Sequence, residues 1–188
     1  TNNPLGKSPE WEREIKYPKC GFRYSVIDSG YFCPCCSHNS IEETINDSLD
    51  STIKMLESLP AMEEFLAQNQ GKDKANNICR AMFENSLGEV VSAFQKFAEL
   101  RFWALSSKSI RVNDIQIVDK GSQLFEKATG LSYDSWISRS DQNYMNLMFQ
   151  RRHIMVHNAG IVDEQYIQKS KDTTYTVGQR LVIRIKSV

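Results

Sequence analysis

Two arginines and two histidines lie close together late in the chain, and their side chains are suited to acid–base chemistry on a phosphate. Residues 151–157 read Arg-Arg-His-Ile-Met-Val-His and hold two of the three histidines in the sequence. Histidine exchanges protons near neutral pH, and arginine can hold a phosphate through two N–H groups. Metal-free RNA cleavage needs these groups, because a base must deprotonate the ribose 2′-OH and a cation must stabilise the phosphate that the 2′-oxygen attacks.

The spacing of these residues indicates one edge of a helix. At about 100° per residue, His153 and His157 are one turn apart, and the pattern places Arg152 in the middle of the apolar stripe. A structural role is open for the same residues. In that role the arginine pairs with a buried carboxylate and the histidines complement the helix dipole.

Four of the five cysteines lie in the first forty residues, a pattern that favours metal binding over disulfides. Cys33-Pro34-Cys35-Cys36 contains a Cys-x-x-Cys pair whose thiolates can reach one Zn²⁺. Residues 17–21, Tyr-Pro-Lys-Cys-Gly, resemble a second knuckle with tyrosine in the position of its first cysteine. The segment therefore resembles a zinc ribbon that lacks one ligand.

We predict a structural zinc ion held by Cys20, Cys33 and Cys36, with His38 as the fourth ligand. Cys35 is the alternative fourth ligand, although adjacent cysteine side chains point apart. Another interpretation makes the cluster a redox sensor, with Cys35 and Cys36 as the reactive thiols. The fifth cysteine, Cys79, is predicted to be a core residue.

The remaining pattern predicts a mainly α fold, a bundle of four to five helices. The predicted helical segments cover residues 40–60, 61–68, 73–106, 122–129, 142–158 and 163–170. Breaks are expected at Pro60, Gly71 and Gly130, and Asp141 is expected to cap the helix that carries the histidines. We predict two domains. The zinc ribbon-like domain (1–39) contains a strand over 22–27 with a return at 31–32, and the helical domain (40–188) ends in a C-terminal β-hairpin over 175–185.

The motif Arg152-His153-x-x-x-His157 resembles the signature of the HEPN superfamily, in which arginine is followed by a polar residue and then, a few residues later, by histidine. Residues 157–163, His-Asn-Ala-Gly-Ile-Val-Asp, and residues 87–94, Leu-Gly-Glu-Val-Val-Ser-Ala-Phe, resemble bacterial HEPN domains of defence and toxin systems. The resemblance covers about residues 40–170.

The resemblance implies a helical bundle and a homodimer in which two Arg–His helices face each other across a cleft. It also implies a metal-independent endoribonuclease. Arg152 would bind the scissile phosphate, His157 would act as acid or base, and His153 would orient the pair or the substrate. Arg151 and Arg152 of both subunits would line a cationic cleft for RNA.

Two positions depart from the family. Many relatives carry a glutamate after the aromatic residue of the long helix, whereas Gln95 follows Phe94 here. Some relatives carry a tyrosine two residues after the histidine that a partner nucleotidyltransferase modifies, and that position is Ala159. The second departure disfavours the toxin–antitoxin variant of the family.

Composition excludes several other classes. The 188 residues carry 23 Lys and Arg against 23 Asp and Glu, which excludes binding of nucleic acid by bulk charge, and no run is apolar enough for a membrane span. We expect a cytoplasmic RNA-cleaving hydrolase in bacterial anti-phage defence or stress response, with a regulatory protein partner and no catalytic metal. The alternative is a non-catalytic HEPN module that binds RNA, nucleotide or a protein.

Overall fold

The computed structural model describes residues 12–27, 33–38, 41–111 and 113–183. The chain divides into two compact units, Thr1–Thr44 and Ile45–Val188. None of the helices in the described ranges combines the length and the hydropathy of a membrane span.

The first unit contains a two-stranded antiparallel sheet. β1 (Glu12–Lys16) pairs with β2 (Arg23–Ile27), so that Glu12 faces Ile27 and Lys16 faces Arg23. The predicted strand at 22–27 is confirmed. The sequence did not predict its partner β1, because Glu-Arg-Glu-Ile-Lys is mostly charged and has a single β-former, Ile15. The predicted return at 31–32 lies outside the described residues.

Five helices make up most of the described chain and confirm the mainly α class. They are α1 (Ile41–Gln70), α2 (Lys72–Leu105), α3 (Val118–Thr129), α4 (Arg139–His157) and α5 (Glu164–Ser170). Short 3₁₀ turns at Asp114–Gln116 and Tyr133–Ser135 precede α3 and α4.

The predicted break at Pro60 is wrong, because α1 continues through it. A proline inside a helix removes one backbone hydrogen bond and costs about 3 kcal/mol. Burial offsets that cost here, since Leu59 is buried in the core and both Leu56 and Leu66 pack against the same cluster. The break at Gly71 is confirmed, and this glycine has the positive φ of 88° that separates α1 from α2.

Two hydrophobic clusters form the core of the helical unit. The first contains Leu59, Cys79, Phe83, Ile154, Val162, Tyr166, Leu181 and Ile183. The second contains Val91, Ala98, Phe102, Ile115, Val118, Phe125, Tyr133 and Phe149. Since α2 and α4 contribute to both clusters, these two helices hold the unit together, and Cys79 is the core residue that the sequence predicted.

The ends of α3 and α4 differ in part from expectation. α3 begins earlier than predicted but ends at Gly130, whose φ of 77° is the expected left-handed stop. α4 is capped by Ser138 and not by Asp141. The Ser138 hydroxyl accepts a hydrogen bond from the Asp141 backbone N–H at 3.1 Å and donates to the Asp141 carboxylate at 2.7 Å.

The chain after α5 pairs with the segment that follows α4. Val162 N–H donates to the Gln179 carbonyl and Gly178 N–H to the Val162 carbonyl, each at 2.8 Å. One antiparallel bridge joins Ile161 to Arg180. The described residues up to Ile183 do not form the predicted C-terminal hairpin, because residues 160–162 provide the backbone partners instead.

Candidate functional site

The last turns of α4 present the two histidines together on the surface. His153 and His157 are both exposed, and their ring centroids lie 4.8 Å apart with an interplanar angle of 49°. They are one helical turn apart, as their spacing predicted. The two imidazoles can therefore act on the same small ligand.

Arg152 lies beside them and is half-buried. Its Nε atom is buried without a hydrogen-bond partner, and no carboxylate in the described ranges forms an ion pair with its guanidinium. The charge of this half-buried guanidinium is therefore not neutralised by an ion pair within the described residues.

Arg151 occupies the buried position that the sequence pattern gave to Arg152. Its Nη2 lies 3.0 Å from Asp172 Oδ2, and the Tyr166 hydroxyl donates to the same oxygen at 2.6 Å. Arg151 is therefore the arginine of this helix that pairs with a buried carboxylate. The predicted contribution of Arg151 to a cationic cleft is wrong.

The physical reason is that the buried face of α4 turns along the helix. Its first half packs Phe149 into the second core cluster, whereas its second half packs Ile154 into the first. Around the helix from Arg151, Arg152 lies at about 100°, His153 at about 200° and His157 at about 240°. When the buried face of α4 is centred on Arg151, Arg152 is therefore half-buried and both histidines are exposed.

The contacts of Asp172 stabilise its charge. Burial raises the pKa of this carboxyl group, but hydrogen bonds from Tyr166, the Thr174 backbone N–H and Arg151 outweigh burial and lower the pKa to about 2. Burial and the bond to Asp172 raise the pKa of Tyr166 to about 12. This network, which we call the Arg151 clamp (Arg151, Tyr166 and Asp172), joins α4 to α5 and to the residues that follow it.

The pKa of His153 is lowered from its ordinary value. Desolvation contributes most, the positive charges of His157, Lys169 and Arg152 act in the same direction, and Asp163 opposes them. Lowering this pKa leaves more of the His153 ring in its neutral form at neutral pH.

The turn after α4 is held by its own polar groups. The Asn158 side-chain amide donates to the Ile161 carbonyl at 2.7 Å, and the Gly160 N–H donates to the Ile154 carbonyl at 2.9 Å. Ala159 and Gly160 both have positive φ, 49° and 75°. This turn ends the helix directly after His157 and so fixes the last turn that carries both imidazoles.

Gln95, the residue that follows Phe94 on α2, lies in an amide network. Its Nε2 donates to Glu99 Oε1 at 2.7 Å, and its Oε1 accepts a hydrogen bond from Gln116. The nearest carboxylate in this network, Glu99, is thus bound to Gln95.

In the first unit, Cys20, Cys33 and Cys36 bring their sulfur atoms together. The three Sγ atoms lie within 4.8 Å of one another, and those of Cys20 and Cys33 are 3.5 Å apart. A Zn²⁺ ion with bonds of about 2.3 Å to sulfur requires a cluster of about this size. The three thiols that the sequence selected can therefore hold one metal ion.

The two knuckles have the same backbone hydrogen bonds. Gly21 N–H donates to the Tyr17 carbonyl and Ser37 N–H to the Cys33 carbonyl, while Tyr17 N–H and Cys33 N–H each donate to the carbonyl five residues on. Gly21 and Ser37 both have positive φ, 72° and 55°. Tyr17 thus occupies the position in its knuckle that Cys33 occupies in the other.

Neither candidate for the fourth ligand joins the sulfur cluster among the described residues. The His38 Nδ1 atom contacts the Tyr17 hydroxyl, and the two rings lie 5.6 Å apart. Cys35 is exposed and outside the group. The buried Tyr17 therefore fills the ligand position structurally and holds His38 by one ring nitrogen.

The pKa values of the Cys20 and Cys33 thiols are shifted in opposite directions. Desolvation raises the pKa of Cys33, but hydrogen bonds from the Cys36 and Cys35 backbones and from the Cys20 thiol lower it below its ordinary value. A backbone hydrogen bond at Phe22 lowers the pKa of Cys20, but desolvation and the neighbouring thiols raise it to about 11. Of these two thiols, Cys33 is therefore the stronger acid.

Sequence reasoning missed the Arg151 clamp and an apolar cavity. The cavity, of about 400 Å³, lies in the helical unit and is lined mainly by aromatic side chains, among them Phe94, Phe97, Phe125 and Trp136. One feature of the sequence could have indicated the clamp: Asp172, an acidic residue near the C-terminus, can pair with a buried arginine. The cavity had none, because aromatic residues at helical spacing also describe a filled core.

Comparison of the chain with protein-family models, with curated proteins and with solved structures found no match.

Proposed function

We propose that this chain is a metal-independent endoribonuclease of the HEPN type that acts as a homodimer. The observation that carries the proposal is the state of Arg152. It has no ion-pair partner in the described chain, and two exposed imidazoles lie on the same part of α4. Structural arginines of a core are paired, as Arg151 is.

In the proposed reaction, His157 takes the proton from a ribose 2′-OH, and the 2′-oxygen attacks the adjacent phosphorus. Arg152 stabilises the charge of the pentavalent phosphate, and the bond to the 5′-oxygen breaks as that oxygen receives the proton that His157 returns. The products are a 2′,3′-cyclic phosphate and a 5′-hydroxyl end. His153 orients His157 or the substrate, and a second α4 across the two-fold axis completes the cleft.

The cysteine cluster has a structural role in this proposal. Zn²⁺ bound by Cys20, Cys33 and Cys36 holds the small first unit together and contributes nothing to catalysis. For His38 to be the fourth ligand, its ring must leave the contact with Tyr17. The biological setting that we propose is the cytoplasm of a bacterium, in anti-phage defence or a stress response, where a regulatory protein restrains the nuclease.

The test is cleavage of end-labelled RNA in the presence of EDTA, with product ends identified chemically. We expect Arg152→Ala and His157→Ala to reduce the rate by a factor of about 10² or more each. Arg139→Ala is the matched control, because Arg139 lies on the same helix, is exposed, and makes only a 3.3 Å hydrogen bond to Gln142 and a 3.7 Å contact with Asp119. Circular dichroism of each variant shows whether it is folded. Cleavage that survives in both variants would overturn the site.

One observation favours a second candidate, a non-catalytic HEPN module that binds RNA, nucleotide or a protein partner. Gln95 replaces the carboxylate that many family members carry, and its amide binds Glu99. If the native chain binds RNA and the Arg152→Ala variant loses binding, while neither cleaves any RNA tested, this second function holds.

A further inference from the structure

We propose that His153 and His157 form a binding site for a divalent transition-metal ion, with Zn²⁺ as the natural ligand, on the exposed face of α4. The site is separate from the cysteine cluster, which belongs to the other compact unit. It uses two imidazoles and no thiolate.

The geometry suits chelation by both rings. The two histidines are four residues apart on a regular helix, the spacing at which two histidines on one helix face bind zinc in metalloproteases. Their ring centroids lie 4.8 Å apart, and both side chains are exposed. A metal ion at about 2.0–2.1 Å from each nitrogen can therefore be reached by changes in side-chain torsions alone.

The helix holds both ligands in place. Arg151, on the opposite side of α4 from His153, is fixed by the 3.0 Å contact with Asp172, and the Asn158 side chain fixes the turn directly after His157. Because the backbone beneath both rings is held, binding costs little ordering of the chain.

The surroundings select the kind of ion. Arg152 and Lys169 place positive charge near His153, and Asp163 places negative charge there. Hard cations such as Mg²⁺ and Ca²⁺ need several oxygen ligands and are disfavoured here. Zn²⁺, Ni²⁺ and Cu²⁺ bind neutral imidazole strongly, so the site favours these ions, and water or phosphate oxygens fill their remaining positions.

A metal ion at this site would also regulate the nuclease, a role that rests on the proposed function. An ion held by His153 and His157 occupies the nitrogens that would accept and return the proton of the 2′-OH. Zn²⁺ at this site would thus inhibit an enzyme that needs no metal, and removal of the ion would restore cleavage.

The binding experiment uses the full chain, free of any histidine tag and supplied with one equivalent of Zn²⁺ for the cysteine cluster, titrated with Ni²⁺ by isothermal calorimetry. We expect His153→Ala and His157→Ala each to weaken Ni²⁺ binding at least tenfold. His38→Gln and Cys33→Ser are the controls for the other unit and should leave this binding unchanged. Binding within twofold of native in both α4 variants, or loss of binding only in Cys33→Ser, would overturn the site.

Arg152→Ala separates this inference from the proposed nuclease. It should abolish RNA cleavage but retain or strengthen Ni²⁺ binding, because it removes a neighbouring positive charge. In the native chain, added Zn²⁺ should inhibit cleavage reversibly, and EDTA should restore it. If Zn²⁺ binds both histidines and cleavage is not reduced, the regulatory role is overturned. If the chain has no nuclease activity, the Ni²⁺ titration still tests the metal site.

Discussion

Replacing Asp172 by asparagine should destabilise the helical unit strongly, because it leaves the Arg151 guanidinium buried without a counter-charge. The two side chains are only 10% and 3% exposed, and their polar atoms lie 3.0 Å apart. The carboxylate oxygen that accepts from Arg151 also accepts from Tyr166 at 2.6 Å. One substitution thus weakens two buried interactions.

The expected loss is about 3 kcal/mol. Removing one partner of a buried ion pair costs about 3–5 kcal/mol. The pKa of Asp172 falls from its ordinary value of 3.8 to about 2, which corresponds to about 2.5 kcal/mol at about 1.4 kcal/mol per pKa unit. Both figures describe the same network, so they are not added.

The same shift predicts a pH dependence of known direction. The folded state binds the Asp172 proton more weakly than the unfolded state does, so the stabilisation is complete above about pH 4 and is lost as the pH falls toward about 2. Asp172→Asn removes the titrating group and should flatten the decline of stability in this range.

The assay is urea unfolding followed by far-ultraviolet circular dichroism, at neutral pH and through the acid range. Tyr166→Phe, which removes one hydrogen bond and no charge, should cost about 1 kcal/mol. Asp119→Asn is the exposed control, since its contact with Arg139 is 3.7 Å and the side chains are 75% and 63% exposed. This control should lose less than about 0.5 kcal/mol.

Two results would refute the reasoning. One is a loss below about 1 kcal/mol for Asp172→Asn, no larger than the effect of a single neutral hydrogen bond. The other is an acid decline that is as steep in the variant as in the native chain. If Asp172→Asn does not fold at all, Tyr166→Phe still tests the network, because a cost no greater than that of Asp119→Asn would contradict its proposed contribution.

Three further predictions concern other parts of the structure. Tyr17→Cys should complete a four-thiolate site and tighten binding of Co²⁺, read from thiolate-to-metal absorption; an unchanged titration would count against the equivalence of the two knuckles. Gly121→Ala should cost about 1–3 kcal/mol, because its Cβ would lie 2.7 Å from the Tyr133 hydroxyl. Tyr133→Phe, which removes a buried hydroxyl without a partner, should cost little alone and recover part of the loss in the double variant, as measured by thermal unfolding. Ser138→Ala should cost about 1 kcal/mol through loss of the α4 cap, and an equal loss in the exposed Ser140→Ala control would contradict that assignment.

The long helices could be predicted from sequence because their signals are local and repeated. α2 has apolar residues at helical spacing over its whole length, and its predicted bounds agree with the structure to one residue at each end. Gly71 and Gly130 mark ends that depend on backbone conformation alone. The predicted helix break at Pro60 was wrong because burial of the flanking residues decides whether a helix continues through a proline. Burial depends on the whole fold and cannot be read from the local sequence.

The candidate site could be predicted only as far as spacing along one helix determines it. The spacing of four residues from His153 to His157 suffices to place both on one face of the helix. The distinction between Arg151 and Arg152 depends on Asp172, which is 21 residues away and reaches α4 only after the chain has folded back. The contact of His38 with Tyr17 is likewise a tertiary interaction that no motif encodes.

The two adjacent arginines of α4 acquire different roles because a helix rotates by about 100° at each residue. Once Asp172 and Tyr166 draw Arg151 into the core, Arg152 must lie at the edge of the buried face and His153 beyond it, exposed. The Arg151 clamp therefore sets the direction of every side chain in the proposed site without touching a substrate. A loosened clamp should impair RNA cleavage and Ni²⁺ binding together, whereas a change at Arg152 should impair only cleavage.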